Sequence, residues 1–270
     1  MATVTERIRQ IEQPYGGYIR LSEFEMIHFD DGVILNADEN VDASLVASAV
    51  EYLTRFCFSN HEEKIGKRIT KSFDVSLRGA CIAQAYFGQK DAIDVCLKLL
   101  GAMGRSSSVR DIITNALKIV TFDVWYRNPF NAVPDGYKSV KPNKATIENI
   151  YTMLKRSRNF FEKYGPVTAT GFDFKPSGYT KTVDNGDGDF LTADMLCDMK
   201  VYRPQTKITK KETLQVLMYW IMGQHSGQEV FKGITKIGLY NPRQNIAYIL
   251  NVSKIPAEVI REVEEKVICY

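Results

Sequence analysis

Two carboxylates and a lysine at strand spacing are the chemistry-bearing feature of the segment Gly186-Asp187-Gly188-Asp189-Phe190-Leu191-Thr192-Ala193-Asp194-Met195-Leu196-Cys197-Asp198-Met199-Lys200-Val201. It reads as two short strands joined by a tight reversal. Successive side chains of a strand point to opposite faces, so Asp198 and Lys200 project the same way, roughly 7 Å apart along the strand, with Cys197, Met199 and Val201 on an apolar face. A reversal centred between Ala193 and Asp194 sets Asp189 directly opposite Asp198, with β-carbons about 5 Å apart. Like charges so placed repel, and a hard divalent cation held between them would convert repulsion into coordination. Lys200, one step along the same face, could reach the water on that cation. Asp187 shares the face of Asp189, and a register shift would exchange the two as ligands. The run from Asp184 is not an EF-hand loop, since Gly186 and Gly188 stand where oxygen side chains are needed and Met195 where Glu is needed.

The elements that must position this hairpin belong to a chain of 270 residues, long enough for two units with cores of their own. A hydrophobic fraction of 44% and a charged fraction of 25% are those of a globular protein, and no apolar run approaches a membrane span. The start, Met1 to Arg7, lacks the basic head and apolar run of a secretory signal, which argues for a cytoplasmic location. Cys57, Cys81, Cys96, Cys197 and Cys269 are odd in number and widely spaced, and read as small buried hydrophobes, not as a disulfide framework or zinc site. A net charge of +3 does not announce a nucleic-acid binder, so any basic patch must be local.

Taken in order, the chain opens with an amphipathic stretch near Ile8 to Ile11 and an alternating one, Phe24 to Phe29, that suits a short strand. From Asp42, a plausible N-cap, apolar residues recur at helical steps through Phe56. Further helices are expected over Val75 to Phe87, Lys90 to Leu100 and Ser107 or Ser108 to Tyr126. Residues 1–126 thus read as a mainly helical domain that selects substrate or partner. Residues 127–143, with three prolines, read as a linker. Residues 144–270 then follow as helix Lys144 to Tyr164, strands Val167 to Phe174 and Tyr179 to Val183, the acidic hairpin closed by Pro204, helix Lys211 to Met222 ended by Gly223, an extended pair Ile234 to Tyr240 and Asn245 to Val252, and a last helix Pro256 to Val267. The helical segment of about 42–126 holds no phosphate-binding loop, GxSxG elbow or internal repeat, and no helicase or ATPase motif is present.

The order helix, three strands, helix, strand, with an acid on one hairpin strand and Asp198-Met199-Lys200 on the next, resembles the PD-(D/E)XK nuclease superfamily. Gln215-Val216-Leu217-Met218-Tyr219 on the following helix has the Q-x-x-x-Y form of its RecB-type branch, and residues four apart share a helix face. The resemblance covers only the second half of the chain. It implies an α/β (α+β) chain in which a helical half precedes a restriction-endonuclease-like αβββαβ core with a central mixed sheet. The implied activity is Mg²⁺- or Mn²⁺-dependent phosphodiester hydrolysis, in DNA processing or in defence against foreign DNA. Asp189 and Asp198 are the implied metal ligands, joined by the backbone carbonyl of Met199, with Glu148 on the upstream helix as an extra carboxylate. Lys200 would orient or help deprotonate the water, Gln215 would position the substrate or the lysine, and Tyr219 would do the same or simply pack. The hairpin spacing is short for the family. No cysteine cluster flanks the region, so no iron–sulfur cluster is expected.

Each residue also has a plain structural reading: an exposed turn for the acidic hairpin, a surface ion pair for Lys200, helix packing for Gln215 and Tyr219, a solvated position for Glu148. His28, His61 and His225 are scattered and read as structural, although His225 follows the Gln215 helix closely enough to line a groove. Lys207, Lys210, Lys211, Lys232, Lys236 and Arg243, with Lys155, Arg156 and Arg158 as a second group, are candidate phosphate contacts, and Tyr202, Trp220 and Tyr240 would stack bases if exposed. DNA is the leading expected partner and RNA the second, with a protein partner allowed for the helical half and no membrane. Two rival readings are a nuclease-like module that binds nucleic acid or protein without hydrolysis, and a metal-dependent hydrolase of small phosphorylated substrates.

Overall fold

The computed structural model describes residues 2–202 and 206–270, so the strand-closing role expected of Pro204 lies outside the described residues. The chain forms two compact units: Met1–Asp31 with Asn159–Tyr270, and Gly32–Arg158. This division differs from the expected one. The first 31 residues belong with the sheet, and 127–143 is an internal part of the helical unit.

In the sheet-bearing unit the chain starts with α1 (Val4–Gln10), whose Thr3 and Glu6 form a reciprocal capping box, followed by β1 (Glu25–His28). The helical unit comprises α2 (Ala43–Phe58), α3 (Ile65–Ser72), α4 (Asp74–Tyr86), α5 (Ala92–Arg105), α6 (Val109–Ile119), α7 (Asp123–Arg127) and α8 (Gly136–Ser139). Asp42 caps α2 by accepting from the Ser44 amide at 2.8 Å, and Ser108 caps α6. The long helix expected from Ser108 to Tyr126 is broken by a 3₁₀ turn over Val120–Phe122, and α3 was not anticipated. The buried carboxylate of Asp123 accepts hydrogen bonds from Tyr52 and Ser76. Residues 129–131 form a 3₁₀ turn, so the proline-rich stretch is structured.

Helix α9 (Lys144–Tyr164) matches its expected bounds and crosses the division between the units at residues 158 and 159. Beyond it come β2 (Val167–Phe172), β3 (Gly188–Thr192), β4 (Met195–Met199), α10 (Lys210–His225), β5 (Lys236–Asn241), β6 (Ile246–Asn251) and α11 (Ala257–Glu262), the last running into a π-helical turn over Val263–Ile268. The six strands form one mixed sheet in the order β1-β6-β5-β4-β3-β2, in which β4 and β5 are parallel and the remaining pairings antiparallel. A parallel pair needs a crossover connection, and α10 supplies it. Strand β4 is thus central and every residue of β3 and β4 is buried.

Three expectations fail here for identifiable reasons. Tyr179 to Val183 is not a strand, because the Thr180 hydroxyl accepts from the Thr182 and Val183 amides and turns the chain. Gly223 does not end α10; it lies inside the helix, where the Phe231 ring would stand 2.4 Å from an added Cβ. Of the cysteines, only Cys96 and Cys197 are buried, whereas Cys57, Cys81 and Cys269 are exposed, and all five are free thiols. Among the described residues no helix is long and apolar enough to cross a membrane.

Candidate active site

The acidic hairpin reverses through Ala193 and Asp194 alone. The Thr192 hydroxyl accepts from the Met195 amide at 3.1 Å, and the Asp194 carbonyl accepts from the Thr235 and Lys236 amides at 2.9 and 3.0 Å, which pins the turn to the approach of β5. Phe190 pairs with Cys197 and Leu191 with Leu196. Carried one step further, this register puts Asp189 across from Asp198, while Asp187 precedes the first residue of β3 and is exposed. Asp189 Oδ2 accepts from the Met199 amide at 2.8 Å, a charge-assisted bond across the hairpin that fixes this carboxylate beside Asp198.

Lys200 follows β4, and its Nζ lies 2.6 Å from Asp198 Oδ2 and donates to Gln215 Oε1 at 3.0 Å. Gln215 Nε2 in turn donates to the Tyr219 hydroxyl at 2.8 Å. The side chains Asp198, Lys200, Gln215 and Tyr219 therefore form one continuous polar chain from β4 to α10, with Asp189 at its head. Helix α10 can deliver Gln215 and Tyr219 together because they lie four residues apart on a helix anchored among Leu214, Val216, Leu217 and Met218. Its start is secured by a capping box between Thr209 and Glu212, and Tyr202 donates to Glu212 Oε1 at 2.9 Å.

Burial sets the electrostatics. Asp198 is 3% exposed, and burial pushes its pKa up to about 7; Lys200 opposes the rise and Asp189 adds to it. For Lys200, burial works against the charged form but is outweighed by Asp198 and Asp189, so its pKa stands above the usual lysine value and the side chain is a cation. Burial, and next the Asp198 charge, raise the pKa of the Tyr219 phenol, so it stays protonated. The buried Asp198 Oδ2 faces the Lys200 ammonium at 2.6 Å, so the chain's own cation partners this oxygen. Among the described residues no group of three His, Cys, Asp or Glu side chains is placed to hold a metal. The donor set of two carboxylates suits Mg²⁺ or Mn²⁺, which retain waters, and does not suit zinc.

Other candidates are placed elsewhere. Glu148 belongs to the helical unit, is exposed, and stands 3.6 Å from Lys144. Tyr240 is fully buried and stacked on Phe160 at 4.1 Å, so it is no platform for a base, and the half-buried Trp220 indole donates to the Ile234 carbonyl at 3.0 Å. Lys232 pairs with Glu229 and Lys236 with Asp194, while buried Arg156 donates to the Val33 carbonyl. Lys207, Lys211, Lys155 and Arg158 are exposed. His225 stacks on Tyr270 and lies 3.1 Å from Glu264.

Periodicity did not reveal the supports of the hairpin. Both glycines of the Gly-Asp-Gly-Asp run sit under tight contacts: an added Cβ would stand 2.9 Å from Val4 Cγ2 at Gly186 and 2.2 Å from the Phe172 ring at Gly188. The Tyr179 hydroxyl donates to the Gly186 carbonyl at 2.5 Å. The two glycines are the visible signal in the sequence, where they read as part of the acidic strand and as misfits in a calcium loop.

Comparison with known proteins found no matching family model, no matching curated protein and no matching solved structure.

Proposed function

We propose that this protein is a divalent-cation-dependent nuclease of the PD-(D/E)XK type, close to the RecB branch, acting on phosphodiester bonds of DNA. The observation that carries the proposal is the placement of Lys200 between Asp198 and Gln215, with Asp189 across the hairpin. The order α9-β2-β3-β4-α10-β5 supports it, matching the helix, three strands, helix and strand that the resemblance implies.

Asp189, Asp198 and the Met199 carbonyl would hold Mg²⁺ or Mn²⁺. When bound, such an ion supplies neutralisation of phosphate charge and activation of water. The chain's own groups do the rest. Gln215 accepts from the Lys200 ammonium and fixes its direction, and Tyr219 fixes Gln215. As a cation with a raised pKa, Lys200 is suited to orient water and to stabilise charge on the phosphate in the transition state, in preference to acting as a base. Exposed Lys207 and Lys211, on the approach to and first turn of α10, offer positive charge to the nucleic-acid backbone.

The rival is a nuclease-like module that binds without hydrolysis. The contact of Lys200 with Asp198 favours it, since an ammonium so close to the carboxylate can take the place of a cation. The decisive experiment incubates purified protein with DNA or RNA and Mg²⁺ or Mn²⁺. Cutting is expected, and Asp198→Ala and Lys200→Ala should abolish it while circular dichroism shows a folded chain. Retained cutting by both variants overturns the proposal; absence of cutting with absence of Asp189-dependent Mn²⁺ binding by calorimetry favours the rival.

A further inference from the structure

The run Asn185-Gly186-Asp187 leads into β3, whose first residue Gly188 pairs with Phe172, and among the described residues its own ladder contact is a single bridge from Asn185 to Thr3. It is nonetheless held from two sides. The N-terminal segment lies along it, with the Val4 amide donating to the Asn185 carbonyl at 3.0 Å and the Asp184 amide to the Ala2 carbonyl at 3.2 Å. Val4 Cγ2 closes over Gly186 so tightly that a methyl group there would stand 2.9 Å from it. On another side the Tyr179 hydroxyl donates to the Gly186 carbonyl at 2.5 Å and accepts from the Phe174 amide at 3.3 Å.

Phe174 makes this hydroxyl more than a loop fastening. Its fully buried ring meets Tyr179 at 5.9 Å and Tyr219 at 5.3 Å between centroids. Tyr219 ends the polar chain that fixes Lys200, and its ring edge faces Gly186, 3.7 Å from where a Cβ would be. One aromatic ring therefore references both arms of the site, the acidic strand through Tyr179 and the lysine through Tyr219.

Resting on the reading of Asp189 and Asp198 as cation ligands, we infer that Tyr179, braced by Val4 across Gly186, is a positioning residue that sets the Gly186–Asp189 segment, with its carboxylates Asp187 and Asp189, relative to Lys200. The hydroxyl acts through the Gly186 carbonyl and touches neither ligand nor substrate. Outer groups that orient metal ligands are worth about 10- to 100-fold in affinity or activity when removed.

The test is Tyr179→Phe in the full chain, which keeps the ring against Phe174 and deletes only the oxygen. Mn²⁺ binding by calorimetry should weaken about tenfold or more. At saturating Mn²⁺, kcat on DNA should fall while KM for DNA stays within twofold of the unchanged protein, and thermal melting should show a folded chain. Gly186→Ala is the second variant, read in the same assay should Tyr179→Phe fail to fold; it should also weaken Mn²⁺ binding, and adding Val4→Ala should restore it. Unchanged Mn²⁺ affinity in a folded Tyr179→Phe, or no restoration in the double variant, overturns the inference and leaves the metal reading standing. Absence of Mn²⁺ binding by the unchanged protein overturns the metal reading, and this inference with it.

Discussion

Lys200 Nζ stands 2.6 Å from Asp198 Oδ2 and 3.0 Å from Gln215 Oε1, so one ammonium joins the central strand to the helix that crosses over it. The three residues behind Asp198 should therefore matter in graded order. Lys200→Ala should lower single-turnover cutting by a hundredfold or more, as loss of a charge-stabilising donor does. Gln215→Ala, which leaves the ammonium present but undirected, should cost about tenfold, and Tyr219→Phe, which removes only the acceptor for Gln215, less. Single-turnover rates at saturating Mn²⁺ test this, and an equal loss in all three would contradict a relay of positioning.

In the proposed site Asp189 would have two duties, holding the cation and accepting from the Met199 amide, and substitution separates them. Asn keeps an oxygen to accept from the Met199 amide, while Ala leaves that buried N–H without its partner. Asp189→Ala should be less stable than Asp189→Asn by about 1–3 kcal/mol in urea unfolding without metal. Neither should cut DNA.

Gly188 tests the tightness of the hairpin. An added Cβ would lie 2.2 Å from the Phe172 ring, its partner in the β2–β3 register. Gly188→Ala should destabilise by about 1–3 kcal/mol or more. Phe172→Ala should cost less in that background than alone, a non-additivity that a double-mutant cycle on thermal melts would measure.

The buried Asp123 of the helical unit makes stability depend on pH. Burial raises its pKa in the folded chain, ahead of the lowering by the Ser76 and Tyr52 hydroxyls. The folded state then holds a proton that the unfolded state releases at about pH 3.9. The stabilisation is complete below that pH and fades as pH rises through the folded-state value. Asp123→Asn should flatten this part of the profile in urea unfolding followed from pH 3 upward. A slope unchanged by the substitution would exclude Asp123 as its source.

What the sequence alone determined was local. Alternation in 195–201 and the compact Thr192-Ala193-Asp194-Met195 reversal put Asp189 opposite Asp198, and helical spacing put Gln215 and Tyr219 on one face. The bounds of α9 and the cap at Asp42 were legible for the same reason, because each is written in residues a few positions apart. The tertiary structure decided what depends on distant partners. It moved residues 1–31 into the sheet unit, where β1 pairs with β6 some 220 positions later, and it turned Tyr179 to Val183 into a loop braced by Thr180. It also separated Asp187 from Asp189 by starting β3 at Gly188, and buried Tyr240 against Phe160 instead of offering it to a base. The Gly-Asp-Gly-Asp run shows why: its acids are readable from spacing, but its glycines answer to Val4 and Phe172, and contacts between residues far apart in the chain leave no periodic trace in either partner's neighbourhood.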